Sequence, residues 1–458
     1  MCCTVTPEND LMTLLQEEHN RQDTNIELIA SENFPSYNVR MAQATCLTSK
    51  YAEGYPAEPS TPTGHGNKGR YYGGCEYIDK IEDLCRQEWQ KAFHTDYHVN
   101  VQPHSGTQAN MAAYAAILKP GDTILSLRLD CYAHLSHGAP VNFSGKLYNV
   151  VNYGLTSKDY INYNDLYEKI CSCRPNVVVA GTSAYPREID FGKIKDTIDK
   201  AVKDAKITEH PVYYMVDMAH IAGLVAAGEH CSPFGYADIV TTTTQKTARG
   251  PRGGCIFCRP ELAKKVDSAV MPNTQGGPLE HVIAAKAFAA IEMQRPDFVQ
   301  YIKAVKKNCK AMAEVFDIFG IKMITGGTDN HLILLDLRGT GVTGKQLQDF
   351  LDEYGITGNK NCIPNDPLSS KEASGYRIGT AAMTTRGMTM EQFKSTATVI
   401  VCAIQVLKAQ ANNRDDSVAM ACFTHNLLKL KMSLAKNLIP VCRVGRTKEA
   451  EEFWRWEI

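Results

Sequence analysis

Apolar positions alternate between two spacings from about residue 75 to residue 290. Short β-rich runs at Val177-Val-Val-Ala180, Val212-Tyr-Tyr-Met-Val216 and Ile239-Val240 each end in polar or small residues. Between such runs, residues 108–118 and 194–206 carry helical spacing. This alternation predicts βαβ units and a mostly parallel sheet covered on both faces by helices. Further on, residues 296–319 predict a long helix leading into a smaller α+β domain. That domain has a strand at His331–Asp336 and helices near 344–353 and 390–409. At the other end, 8–20 predicts an amphipathic helix, and the segment to about residue 40 an arm. Residues 57–67 are rich in turn formers and almost free of apolar side chains, which predicts an exposed loop. The expected division is an arm over 1–40, a large domain over 41–290 and a small domain over 291–458.

Composition narrows the function classes. The chain has 458 residues, 44% of them hydrophobic and 22% charged, with a net charge of −1. That balance gives no global field favouring nucleic acid or an anionic membrane surface. No run reaches the ~18 uncharged apolar residues of a membrane span. The first twenty residues read as neither a secretory signal nor a transit peptide, so the expected compartment is the cytosol. The 16 cysteines are then expected as thiols. The single CxxC, Cys255-Ile-Phe-Cys258, has no second pair at zinc-finger spacing. A strand with two buried thiols is favoured over metal or redox work, and no metal site is expected.

In open α/β sheets the ligand sits at the carboxyl ends of the strands. Three features fall there. The first is Thr241-Thr-Thr-Thr-Gln-Lys246, followed by Arg249-Gly-Pro-Arg-Gly-Gly254, which delivers one lysine from a hydroxyl-rich turn. Such a lysine is either a solvated surface group or an amine able to attack an aldehyde once partly desolvated. The second is Asp217, at the end of an apolar strand and followed by Met-Ala-His220. It reads as a structural acid bonded to the next turn, or as the partner of a protonated pyridine nitrogen. The third is Pro103-His-Ser-Gly-Thr-Gln-Ala-Asn110, where small hydroxyl residues and Gly106 open a helix whose amides can hold a phosphate.

Together with Leu28-Ile-Ala-Ser-Glu-Asn-Phe34, Lys50-Tyr-Ala-Glu-Gly-Tyr-Pro56, Arg70-Tyr-Tyr-Gly-Gly-Cys-Glu76, Gln275-Gly-Gly-Pro278 and Arg377-Ile-Gly-Thr380, these stretches closely resemble serine hydroxymethyltransferase. The resemblance runs over nearly the whole chain. It implies a fold-type I, aminotransferase-like α/β enzyme with a mostly parallel seven-stranded sheet. The implied cofactor is pyridoxal 5'-phosphate and the co-substrate tetrahydrofolate. By position, Lys246 resembles the Schiff-base lysine, Asp217 the partner of the pyridine nitrogen and His134 the ring stacked on the cofactor. Ser183 and His220 resemble groups near the phenolic oxygen, and Ser105, Gly106 and Thr107 those gripping the phosphate. Gly276 and Gly277 would reach that phosphate from a second subunit, so a homodimer or homotetramer is implied. Arg377 and Ser31 resemble the groups that bind the substrate carboxylate. Tyr51 and Glu53 match residues that come from the second subunit, Glu53 as the acid–base group facing the serine hydroxyl and the folate. Tyr72 would lie over the lysine and Arg252 close to the cofactor. Asn361 and the carbonyls from Leu129 to Leu135 match pterin contacts.

The reaction so implied is reversible. Serine joins the cofactor as an external aldimine, its hydroxymethyl carbon passes to tetrahydrofolate as 5,10-methylenetetrahydrofolate, and glycine remains. Four positions depart from the family pattern. Gln245 replaces a histidine, Tyr132-Ala133 a Gly-Gly pair and Ala381 a proline, while 57–67 has the look of an insertion. Two alternatives follow from them: a folate-independent retro-aldolase acting on β-hydroxy amino acids, and a non-catalytic regulatory subunit. The aromatic tail Phe453-Trp-Arg-Trp456 is expected to pack on the C-terminal domain or at an oligomer edge.

Overall fold

A computed structural model describes residues 7–56 and 69–454; the 57–67 segment expected to be a loop lies outside the described residues, as does Trp456. Seven strands build the main sheet: β1 (His98–Asn100), β2 (Thr123–Leu127), β3 (Asn149–Tyr153), β4 (Val177–Gly181), β5 (Tyr213–Asp217), β6 (Ile239–Thr243) and β7 (Gly254–Cys258). Their spatial order is β1-β7-β6-β5-β4-β2-β3. Pairings within β6-β5-β4-β2-β3 are parallel, and β7 runs antiparallel to both of its neighbours. The carboxyl ends of β1, β5 and β6 therefore share one edge of the sheet, where β7 begins.

Period-two alternation sorts each strand between two cores. Val177 and Val179 of β4 pack under the Gly106–Ile117 helix with Ala109, Ala113 and Tyr114. Val178 and Ala180 face the other way, toward Phe191, Ile194 and Trp89. The CxxC obeys the same rule: Cys255 belongs to the second core and Cys258 to the first, both with no exposed surface. Thiols on opposite faces of one strand cannot share a ligand.

A second sheet is three-stranded and antiparallel: β8 (Leu332–Asp336), β9 (Asn359–Asn361) and β10 (Gly375–Gly379), in the order β9-β10-β8. Its core is completed by the Met390–Ala411 and Ser417–Leu434 helices. Side-chain caps at Thr343 and Thr389, each reciprocated by a glutamine three residues on, fix where two of the helices of this region begin. The Pro296–Ile318 helix has tyrosine and cysteine among its buried residues and packs against the Met390–Ala411 helix.

The two ends of the chain differ in how they are covered. The Pro7–Thr24 helix forms but buries none of its residues, and Leu11, Met12, Leu14 and Leu15 are each more than half exposed. The aromatic tail does not pack on the second-sheet region. Trp454 joins Tyr37, Val39, Ala285 and Ala289, and its Nε1 donates to Asn38 Oδ1 at 2.9 Å. A buried indole seeks both apolar cover and an acceptor, and the 37–43 helix supplies both. No helix among the described residues is long and apolar enough to cross a membrane.

Candidate functional site

A cavity of about 450 Å³ opens at the shared strand edge. Its lining brings together Ser31, Ser105, Gly106, Thr107, His134, Ser183, Asp217, His220, Lys246, Arg252, Asn361 and Arg377, drawn from across the chain. Each is placed by a local rule. Ser105 caps the Gly106–Ile117 helix, its hydroxyl accepting from Gln108 N at 3.2 Å. Gly106 must lack a side chain, since a Cβ there would stand 2.4 Å from Thr243 Cγ2. Gly181 ends β4 with φ +138, and a Cβ on it would meet the Asp217 carbonyl oxygen at 2.4 Å. Both glycines let the backbone close around the strand ends.

Asp217 is the last residue of β5 and is held from three sides. Its Oδ2 accepts from Asn110 Nδ2 at 2.9 Å and from His137 Nε2 at 3.0 Å, and its Oδ1 from Ala219 N at 3.0 Å. Burial opposes ionisation, yet the hydrogen bond and charge of His137, with His134 and Lys246 behind, hold the carboxyl well below the usual range. His137 is fixed in turn by Tyr114, whose hydroxyl lies 2.7 Å from Nδ1. Neither Asn110 nor His137 was marked as a site residue by sequence reasoning.

His134 is neutral. Its Nδ1 accepts the Ser136 backbone N–H at 3.2 Å, which leaves the proton on Nε2, and burial pushes its pKa down to about 4. His134, His137 and Asp217 also bring three ligand atoms within 4.8 Å of one another. Hydrogen bonds among themselves and with Ser136, Tyr114 and Asn110 already engage His134 Nδ1, both nitrogens of His137 and Asp217 Oδ2.

Lys246 follows β6 and is 8% exposed. Burial, opposed by Asp217 and assisted by Arg377 and Arg252, lowers its amine to about 8. A substantial neutral fraction therefore exists at physiological pH, which is the nucleophilic form. Arg377, in the middle of β10, is lowered by burial to about 10 and stays cationic. Nε donates to Asn359 Oδ1 at 3.1 Å and Nη1 to the Ser183 carbonyl at 2.5 Å, leaving Nη2 for a ligand. His220 Nδ1 lies 3.3 Å from His331 Nε2; burial lowers both rings, so the pair is uncharged.

The remaining predicted residues stand elsewhere. Tyr51 and Tyr72 meet edge to face at 5.1 Å, and 58% and 46% of their surfaces are exposed. A Cβ on Gly276 would lie 2.9 Å from Glu53 Oε1, and one on Gly277 3.4 Å from Tyr51 Cε1. These five residues thus form their own surface cluster and do not line the cavity, so Tyr72 is not over Lys246 of its own chain. Leu129 and Leu135 are exposed. Tyr132 turns inward: it is buried against Tyr185 at 5.3 Å, adopts φ +77, and its carbonyl accepts from Ser183 N at 2.8 Å. The left-handed conformation accounts for the glycine expected at this position.

The family model described as serine hydroxymethyltransferase matches residues 5–400. The chain belongs to that family. Members are fold-type I enzymes that depend on pyridoxal phosphate and use folate, and they are typically oligomeric. Every cavity residue above lies inside the matched span, whereas the Ser417–Leu434 and Lys448–Phe453 helices lie beyond it. At family level the activity is that of a serine hydroxymethyltransferase-type transferase.

Proposed function

We propose that this chain carries pyridoxal 5'-phosphate on Lys246 and transfers the serine hydroxymethyl group reversibly to tetrahydrofolate, giving glycine and 5,10-methylenetetrahydrofolate. One observation carries the reading: a buried amine lowered to about 8, a buried ionised carboxylate, a neutral imidazole and a cationic arginine converge on one cavity. The donor set suits the cofactor. When bound, its protonated ring supplies an electron sink for the bond broken at the substrate α-carbon.

The protein's share is binding and orientation. Asp217 keeps a ring nitrogen protonated, and Asn110 and His137 keep Asp217 ionised. His134 offers a flat uncharged face. Amides at the opening of the Gly106–Ile117 helix, with Ser105 and Thr107, hold the phosphate. Ser183 and His220 stand by the phenolic oxygen, and Arg252 borders the same cavity. Arg377, helped by Ser31, takes the substrate carboxylate on its remaining donors. Asn361 and the backbone at Leu129 and Leu135 face the pterin.

The cluster of Tyr51, Glu53, Tyr72, Gly276 and Gly277 serves the cavity of a second copy. Glu53 there moves the proton of the substrate hydroxyl, and the two glycines close on the phosphate. Exposed tyrosines and the bare apolar face of the Pro7–Thr24 helix support such a pairing. The departures weigh less in this light: Tyr132 and Ala133 are core residues, and Ala381 opens a buried helix whose carbonyl accepts from Tyr301.

Purified protein given serine tests the reading directly. Glycine should form at an appreciable rate only when tetrahydrofolate is added. Equal rates without it would make the chain a retro-aldolase, and no turnover with either serine or threonine would make it a binding subunit.

A further inference from the structure

The Glu280–Met293 helix is apolar along most of its length, yet one lysine points into the core. Lys286 is 1% exposed. Its Nζ donates to three backbone carbonyls, those of Val101 at 2.6 Å, Pro103 at 3.0 Å and Gly254 at 2.9 Å. Three acceptors match the three hydrogens of an ammonium group, whereas a neutral amine has only two. The geometry therefore requires the cation, although burial disfavours it.

No carboxylate pairs with Lys286 among the described residues. Glu82 is engaged by Arg70 at 2.8 Å and by Gln102 at 3.0 Å, and both oxygens of Glu280 are without a partner. Carbonyl dipoles hold the cation directly and Glu82 and Glu280 favour it only at longer range, so a further anion nearby would offset part of its burial cost. Its three partners point to which anion that is. Val101 and Pro103 lead from β1 into Ser105-Gly106-Thr107, and Gly254 opens β7 immediately after Arg252 and Gly253. The Gly254 N–H also bonds the Pro103 carbonyl, at 3.1 Å. Gly253 passes so close that a Cβ would fall 2.6 Å from Lys286 Cε. One ammonium thus pins both segments that flank the phosphate turn.

We propose that Lys286 is a positioning residue for the cofactor phosphate, fixing the turn that grips it and supplying from behind that turn a positive charge which the phosphate answers. It touches neither cofactor nor substrate. The inference rests on the pyridoxal phosphate reading above.

The test compares two aldehydes on reconstituted apoenzyme: pyridoxal 5'-phosphate, and pyridoxal, which lacks the phosphate. Lys286→Gln keeps two donors and removes the charge; Lys286→Arg keeps the charge. Lys286→Gln should bind pyridoxal 5'-phosphate about 10-fold more weakly or worse, with pyridoxal changed less than about 2-fold, as loss of one partly buried charge near a dianion requires. Lys286→Arg should restore the preference. Inorganic phosphate should raise the melting temperature of wild-type apoenzyme and not that of Lys286→Gln. An equal loss for both aldehydes, or failure of both variants to fold, would make the residue architectural and overturn the proposal. If wild type takes up neither aldehyde, the cofactor reading itself has failed; a wild type that loads normally beside an unchanged ratio sinks this inference alone.

Discussion

Lys246 and Glu53 belong to two surfaces that the same motif set predicts, and they differ in almost every physical respect. Around Lys246 the groups are buried, cross-linked by hydrogen bonds and shifted in acidity by one another. Around Glu53 the tyrosines are exposed and their rings meet each other beside Gly276 and Gly277, with hydrogen bonds to the Glu53 and Tyr72 carbonyls from Tyr71 and Cys75. The first surface is organised for chemistry within one chain. The second has the exposure of a surface that finishes its packing elsewhere. The difference is what the proposed function requires: two half-sites on one chain, completed only when a second copy brings its Glu53 cluster to the Lys246 cavity.

Mixing two inactive variants breaks or sharpens that contrast most sharply. Lys246→Arg and Glu53→Gln, each inactive alone, should regain about a quarter of wild-type activity when unfolded together and refolded, because half the dimers are mixed and each mixed dimer has one intact site. If Glu53 acted in its own chain, no activity would return. A smaller effect probes the buried half. Arg377→Ala should raise the serine KM by about 10- to 150-fold, the ~1.5–3 kcal/mol of a charge-assisted carboxylate contact; an unchanged KM would remove Arg377 from substrate binding.

The pH dependence separates the two surfaces next. The neutral amine of Lys246 is the reactive form, so the rate at which apoenzyme takes up pyridoxal 5'-phosphate should climb with pH and level off above about 8, well below the ordinary 10.5. Asp217 raises that amine's pKa, so Asp217→Asn should move the midpoint down. A profile still rising at pH 10 would contradict the buried environment. The smallest effect lies beside Gly276 and Gly277. Burial and nearby Glu82 raise the unpartnered carboxyl of Glu280 to about 8 from 4.5. Its folded form stays protonated where the unfolded chain has ionised, so it costs nothing below about pH 4.5 and its full penalty above about 8. Glu280→Met should therefore stabilise the fold by roughly 1–3 kcal/mol at pH 8 and show no such gain at pH 4. Thermal unfolding at both pH values reads this out.

Much of the buried half was legible in the sequence because strand ends announce themselves. β5 stops at Asp217, and the hydroxyl run that closes β6 delivers Lys246. Residues that work through distant partners left no such mark. His137 matters because Tyr114 and Asp217, 23 and 80 residues away, flank its ring. Lys286 stands out as a charge in an apolar helix, but its carbonyl partners lie 32 to 185 residues off. Tyr132 stands where the family pattern has glycine, and the substitution alone does not say that a positive φ carries its side chain into the core. The C-terminal tail could be read only as buried somewhere, because an aromatic run signals burial without naming the surface that receives it; within one chain that surface is the 37–43 helix and Ala285 and Ala289 rather than the second-sheet region.

The central claim concerns one nitrogen. Holoenzyme reduced with borohydride, digested and mapped by mass spectrometry should carry a phosphopyridoxyl group on the peptide that contains Lys246 and on no other lysine. Label at a different lysine, or none at all, would contradict the account.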